Sequence, residues 1–293
     1  MGIINGVESP PRIHLGTSSF TAAGWQGSFY PTGMKSSDYL SFYVERFDTV
    51  EVDSTFYRCP SPATVNGWAL KTPEGFIFSV KVPQVITHEK VLVECNAEFE
   101  QFLNTMGILG DKLGPMVLQF PYFHRDSFNS VGEFLARLTP FMKRLPRGHK
   151  FAVEIRNKDW LDARFADALR EHRLTLVLQD REWMPRPSEL FEKFDPITAD
   201  FTYIRWLGDR KGIEQQTKTW DKTIVDRTQE LSSWVDVCQR IQRRGVTIYA
   251  YANNHYAGHA PVTVELFRDL WRAKGLPELD KPRRMEKEPT LFD

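Results

Sequence analysis

Nine polar residues of this chain fall at or beside the ends of short apolar runs: Glu51, Asp53, Lys81, Gln119, Glu154, Arg156, Asp180, Arg205 and Asn253. Each alone is accounted for by a salt bridge or a solvated rim; the set exceeds what core packing requires. Three cations converging on one place suit an anionic ligand, a phosphate or carboxylate. Arg156 and Arg205 would hold it as bidentate forks and Lys81 as a point charge. The bland alternative is that these cations only neutralise Glu51, Asp53 and Glu154. Opposite charges about 4 Å apart attract by about 4 kcal/mol at an effective dielectric of ~20, enough to keep the carboxylates ionised. Glu154 then reads as a general base or metal ligand and Glu51 as a second catalytic carboxylate. His88 is the candidate acid, while Gln119, Asn253 and Asn254 would orient a substrate.

A divalent metal is a second possibility, with Glu154, Asp180 and His255 as candidate ligands, because imidazole plus carboxylate suits Zn²⁺, Mn²⁺ or Fe²⁺. The sequence has no HxH or HExxH spacing to strengthen it. Tyr57 and Trp160 are placed among a group of loop aromatics that would stack on a sugar or a base, or else plug the top of a core. Two carboxylates on neighbouring strands also leave a glycosidase reading open. His14 reads as a packed interior histidine, and His259 as a residue that helps to start a helix.

The elements that carry these residues alternate regularly. In residues 151–156, FAVEIR, side chains of a strand point to opposite sides, so Phe151, Val153 and Ile155 share one face and Ala152, Glu154 and Arg156 the other. The same device recurs in residues 48–54 (DTVEVDS) and 76–82 (FIFSVKV). Further strands are expected at 12–18, 116–120, 174–180, 202–206 and 246–252. Helices are expected at about 38–46, 62–70, 97–108, 131–142, 159–171, 224–243 and 262–274, with at most one short helix in the Pro-rich connection 183–196. Eight strand and helix alternations in ~250 residues match the count and size of a (β/α)8 TIM barrel, whose reactive face is the C-terminal mouth of the strands. An open doubly wound sheet is the runner-up, but the nucleotide fingerprints GxGxxG after the first strand and GxxxxGK[ST] are absent. Residues 1–11 read as a lead-in, 12–275 as one barrel domain and 276–293 as a flexible charged tail.

Composition narrows the function classes. The 38 basic and 38 acidic residues cancel, so the overall positive field of many nonspecific nucleic-acid binders is missing. No stretch reaches the ~20 apolar residues of a spanning helix, and the N-terminus lacks a signal-peptide core, which predicts a cytoplasmic protein without a membrane partner. Cys59, Cys95 and Cys238 are odd in number and far apart, as expected of reduced thiols.

Several blocks, in order, resemble the YecE-like family, the domain of unknown function 72: LGTSSF, GWQGSFYP, FDTVEVDSTFYRCP, TPEGFIFSVKVPQVITH, GPMVLQFP, FAVEIRNKDW, TADFTYIRW and YANNHYAGHAP. The resemblance spans residues ~12–270 and implies a TIM barrel without implying a reaction. Motif positions retained include Glu51, Phe56, Tyr57, Lys81, Thr87, His88, Gln119, Pro121, Glu154, Arg156, Trp160, Arg205, Asn253 and Asn254. Leu207 departs from the pattern, which implies histidine there; a reaction that needed that imidazole would fail in this chain.

The expected function is an enzyme, hydrolase-like, acting on a phosphate-bearing or other anionic small molecule or nucleotide-containing ligand, with a divalent metal as a possible cofactor. A noncatalytic ligand-binding or adaptor barrel and a carbohydrate-active barrel are the alternatives, since the fold alone does not select among them. The terminal EPTLFD resembles peptides that dock on the bacterial sliding clamp, through Glu288, Leu291 and Phe292, with Glu288 in place of the usual glutamine.

Overall fold

The structure, a computed structural model, describes residues 12–277 and residue 279; Glu288, Leu291, Phe292 and residues 1–11 lie outside the described residues. Eight strands form one parallel sheet: β1 (Ile13–Thr17), β2 (Thr49–Val52), β3 (Ile77–Lys81), β4 (Leu113–Gln119), β5 (Phe151–Glu154), β6 (Thr175–Arg181), β7 (Phe201–Gly208) and β8 (Thr247–Ala252). Their hydrogen-bonded order is β1-β8-β7-β6-β5-β4-β3-β2, which curls into a nearly closed barrel. Helices return the chain between strands: α1 (Tyr39–Tyr43), α2 (Pro62–Leu70), α3 (Asn96–Met106), α4 (Val131–Met142), α5 (Ala163–Glu171), α6 (Pro187–Lys193), α7 (Arg210–Gln216), α8 (Thr228–Gln242), α9 (Asn254–Ala257) and α10 (Ala260–Ala273). The protein is a single (β/α)8 TIM barrel, as the alternation predicts. Local sequence sets many of the boundaries. Ser61, Ser130 and Asp162 each accept a backbone N–H at the start of α2, α4 and α5, which satisfies a donor that the first helical turn leaves free. Two short helices, α7 and α9, arise in loops where the sequence predicts none, and β6 runs one residue further than expected, to Arg181.

Strand alternation divides the barrel into two apolar bodies. Outward side chains such as Val50, Val80, Leu118, Val153, Leu178 and Ile204 pack under the helices in the main core. Inward side chains Val117, Ala152, Val177, Phe201, Tyr203, Tyr249 and Tyr251 form a second cluster that fills the barrel. His14 closes its lower end, stacked on Tyr249 at 4.8 Å with Nδ1 2.6 Å from an Asp48 oxygen. The charged residues sit above this plug, at the C-terminal mouth. At the other end of the sequence, Trp271 Nε1 donates to the Pro277 carbonyl, and Leu276 and Leu279 pack against the main core.

The seam between β1 and β2 carries no ladder among the described residues. Instead the buried Tyr43 hydroxyl accepts from the Thr17 backbone N–H at 2.9 Å and donates to the Thr49 carbonyl at 3.1 Å. Backbones approach so closely here that a Cβ on Gly16 would lie 2.2 Å from the Thr49 carbonyl oxygen. Tyr43 thus replaces missing strand pairing with a side-chain bridge. Leaving a buried donor or acceptor unpaired costs about 1–3 kcal/mol. Tyr43→Phe is therefore expected to lower unfolding free energy by about that amount, measured by urea denaturation; a change below ~0.3 kcal/mol would show that the bridge does not close the barrel.

Candidate functional site

The centre of the mouth is Arg205, on the inward face of β7 and only 2% exposed. Its Nη1 donates to Glu154 Oε2 at 2.6 Å and to Gln119 Oε1 at 3.1 Å, and its Nη2 donates to Glu51 Oε1 at 2.7 Å. Nη2 also lies 3.5 Å from Asp53 Oδ1, which in turn pairs with Lys81 Nζ at 2.8 Å. The other oxygen of Glu51 accepts from the Tyr203 hydroxyl at 2.6 Å. Register explains the convergence. Gln119 pairs with Glu154 across β4 and β5, and Gln179 pairs with Arg205 across β6 and β7, so these inward side chains share one level. Tyr203 and Tyr251 lie just below, with the Tyr251 hydroxyl within 2.5 Å of Ser79 and 2.7 Å of Thr49.

Electrostatics follow from this geometry. Burial would raise the pKa of Glu51 and Glu154, but Arg205 and the further cations more than offset it, so both carboxyls are held below the ordinary range. Burial, opposed by Lys81 and aided by the Glu51 charge, pushes Asp53 up instead. His88 is pushed down to about 4 by burial and by the Arg156 and Lys81 charges, so its ring is neutral near pH 7. Its expected part as an acid therefore has to be revised: an imidazole that is already neutral has no imidazolium proton to give.

Several expected site residues are used otherwise. Arg205 does not present a free fork, because both terminal nitrogens are occupied by carboxylates; it holds the site together rather than clamping a ligand. Asp180 points outward, accepting from Trp234 Nε1 and the Tyr256 hydroxyl, each at 2.7 Å. Trp160 is buried and stacks among Phe123 and Phe134, so it is core and not a platform. Asn253 Oδ1 accepts the His255 backbone N–H, and Asn254 Oδ1 accepts from Trp25 Nε1 and the Ala260 N–H; these amides fasten α9 and α10. His255 Nε2 lies 3.0 Å from Glu214, and His259 Nδ1 accepts the Val262 N–H at the start of α10. The candidate metal ligands Glu154, Asp180 and His255 therefore do not meet. Among the described residues, no group of three His, Cys, Asp or Glu side chains is arranged to hold a metal ion. Tyr57 is 72% exposed on the loop after β2, and Leu207 is a buried alkyl side chain at the point where the β6–β7 register shifts.

Arg181 is the cation that sequence reasoning missed. It ends β6 two residues after the inward Gln179, with its guanidinium 4.8 Å from the Trp183 ring. Burial pushes its pKa down to about 10, and the Arg156 and Arg205 charges add to this against Glu154. Burial likewise lowers the pKa of Arg156, whose Nε is 3.9 Å from Glu154 Oε1. The signal was the alternation of residues 177, 179 and 181, hidden because the apolar run 176–178 blurs the phase and the three residues after it are all polar.

A barrel with four cations and three carboxylates gathered at its C-terminal mouth falls in the (β/α)8 class whose sites lie on that face. Within that class, residues 14–287 match the family described as "Protein of unknown function DUF72", and the chain belongs to it. It is 25% identical over 282 residues to the UPF0759 protein YecE of Escherichia coli K12, covering 86% of this chain and 92% of that one. Among solved structures it resembles a DUF72 family protein from Thermotoga maritima, with TM-score 0.70, 26% identity and coverage of 89% and 99%. A second DUF72 family protein, from Enterococcus faecalis, has TM-score 0.68 at 20% identity, covering 94% and 100%. Among the described residues, no helix is long and apolar enough to cross a membrane.

Removing one partner from a buried ion pair costs about 3–5 kcal/mol, because the other charge stays buried. Arg205→Met is expected to destabilise the protein by about that much at pH 7. Glu51 and Glu154 are depressed in the folded state, so this contribution is fully present above their unfolded pKa, 4.5 for a model glutamate, and is lost as pH falls through their lowered folded values, about 2 for Glu51. Urea unfolding of both proteins from pH 7 to pH 3 checks it: a gap that stays constant with pH would contradict the carboxylate pairing.

Proposed function

We propose that this protein is an enzyme that binds a phosphate-bearing small molecule at the C-terminal mouth of its barrel and acts on it hydrolytically. The observation that supports this reading is a set of buried polar atoms without hydrogen-bond partners around one place: Nε of Arg156, Nε of Arg181 and Oε1 of Glu154. Buried polar atoms are nearly always paired, so three orphans together read as places kept for a ligand. Both terminal nitrogens of Arg205 are taken by Glu51, Glu154 and Gln119, and of its guanidinium only the buried Nε has no partner, so the cations left to meet a ligand are Arg156 and Arg181, with Lys81 shared with Asp53. Both arginines stay charged at neutral pH, and a guanidinium pair matches phosphate oxygens in charge and fork geometry. Glu154 keeps one oxygen for a water or a substrate hydroxyl, and the raised Asp53 is the carboxyl suited to carry a proton.

The carbohydrate reading is less well supported. A glycosidase needs a carboxyl that keeps its proton near neutral pH; Arg205 holds Glu51 and Glu154 ionised, which leaves only Asp53 for that part, and Asp53 is already paired with Lys81 at 2.8 Å.

Isothermal titration with inorganic phosphate, followed by panels of phosphomonoesters and phosphodiesters, tests the proposal. Charge-assisted hydrogen bonds worth about 1.5–3 kcal/mol correspond to roughly 10–100-fold in affinity. Arg156→Gln and Arg181→Gln are each expected to weaken phosphate by about tenfold or more, and Glu154→Gln to abolish turnover while leaving binding in place. No phosphate binding, or binding indifferent to both arginines, would overturn the reading; tight binding without turnover of any ester would leave a ligand-binding barrel rather than an enzyme.

A further inference from the structure

His88 sits on the one π-helical turn among the described residues, Val85–Glu89, directly after β3. Three of the four described non-glycine residues with positive φ follow it closely: Val91 at +42°, Leu92 at +67° and Glu94 at +47°. A left-handed backbone is sterically costly, most of all for β-branched valine. Both π-turns and such strained positions are retained where the surrounding structure holds a particular side chain in place. The side chain held here is the imidazole, packed edge-on against Phe56 at 4.9 Å, with Lys81 Nζ 5.8 Å from the same Phe56 ring.

What fixes the ring chemically is Thr87. Its side chain is fully buried, and its hydroxyl's one hydrogen-bond partner among the described residues is His88 Nδ1, at 2.9 Å. A hydroxyl carries one proton, and a buried proton without an acceptor costs about 1–3 kcal/mol. Were Nδ1 protonated, it would donate to Thr87 Oγ1 and strand the hydroxyl proton. Thr87 therefore donates, Nδ1 accepts, and the ring's single proton resides on Nε2.

We propose that His88 meets the ligand's anionic oxygen as a neutral imidazole, donating from Nε2–H, with Thr87 as the positioning residue that fixes this tautomer. The inference rests on the anion-binding reading of the mouth. An imidazolium would be the stronger donor, but it would stand beside the Lys81 and Arg156 charges, and both act against it. A neutral N–H donor supplies a directed hydrogen bond to developing negative charge without adding to that repulsion.

Two-bond ¹H–¹⁵N correlation spectra of the full chain at pH 7 test this, with His88 identified by the signal lost in His88→Gln. The wild type is expected to show the Nε2–H form, Thr87→Ser to keep it, and Thr87→Val to give a tautomer mixture. An Nδ1–H ring in the wild type, or a Thr87→Val ring still wholly Nε2–H, overturns the inference. Inorganic phosphate is then expected to move the Nε2 resonance. His88→Phe should bind phosphate about tenfold more weakly, while His88→Gln, which retains an N–H donor, should lose less. Phosphate that binds through Arg156 and Arg181 with no change at His88 overturns this inference alone; absence of phosphate binding overturns the anion-site reading and the ligand contact together.

Discussion

The structure depends on the burial of one guanidinium. Arg205 is taken out of water inside the barrel, where an uncompensated charge would be prohibitive. Glu51 and Glu154 compensate it from opposite sides, with Gln119 accepting a further bond. Those partners come from β2, β4 and β5, so the ion cluster requires β7 to face them across a closed barrel at the correct level. A one-residue slip in any of these strands would turn its charged residue into the helix layer. The cluster thereby constrains register as well as composition, and the tyrosines beneath it supply the hydroxyls and bulk that keep water from replacing these contacts.

That constraint makes the mouth uneven. On the β2 and β3 side, Asp53 and Lys81 are mutually paired and His88 is neutral. On the β5 and β6 side, burial lowers the pKa of both Arg156 and Arg181, the Arg205 and Arg210 charges lower both further, and Arg156 adds to the effect on Arg181. Positive charge accumulates on one arc because Arg205 has already taken the two most buried carboxylates. An incoming anion would relieve repulsion among these cations as well as form new hydrogen bonds, which is a stronger drive than either arginine supplies alone.

How much was legible in the sequence depended on whether a residue lay on a strand with a clear phase. Glu51, Lys81, Gln119, Glu154, Arg156 and Arg205 follow from two-residue alternation, since their neighbours on the other face are apolar and they are not. In β6 the apolar run 176–178 is followed by three polar residues, Gln179, Asp180 and Arg181, so nothing in it announces that Asp180 turns outward and Arg181 inward. Trp160, Asn253 and Asn254 lie in loops, where no periodicity says whether a side chain meets a ligand or fastens a helix. The capture of Arg205 by two glutamates was one of two readings open to the sequence, but choosing it depends on distances across the barrel between residues remote in sequence. Composition and spacing can place a cation at a mouth; only the folded arrangement tells whether that cation is already spent.

The stitched seam between β1 and β2 has a consequence for how the chain reaches this state during synthesis. β1 leaves the ribosome first, yet its ladder is made with β8, pairing Ile13 with Ile248. Until the last strand emerges, β1 is held to the β2 side by side chains alone, the Tyr43 bridge and the His14–Asp48 contact, and the growing sheet keeps an open edge. Long-range pairing of this kind slows folding and exposes unpaired strand edges to other nascent chains. Tyr43 lies early in the sequence, close to both strands it joins, so the side chain that closes the finished barrel can also tether the first strand while the rest is being made.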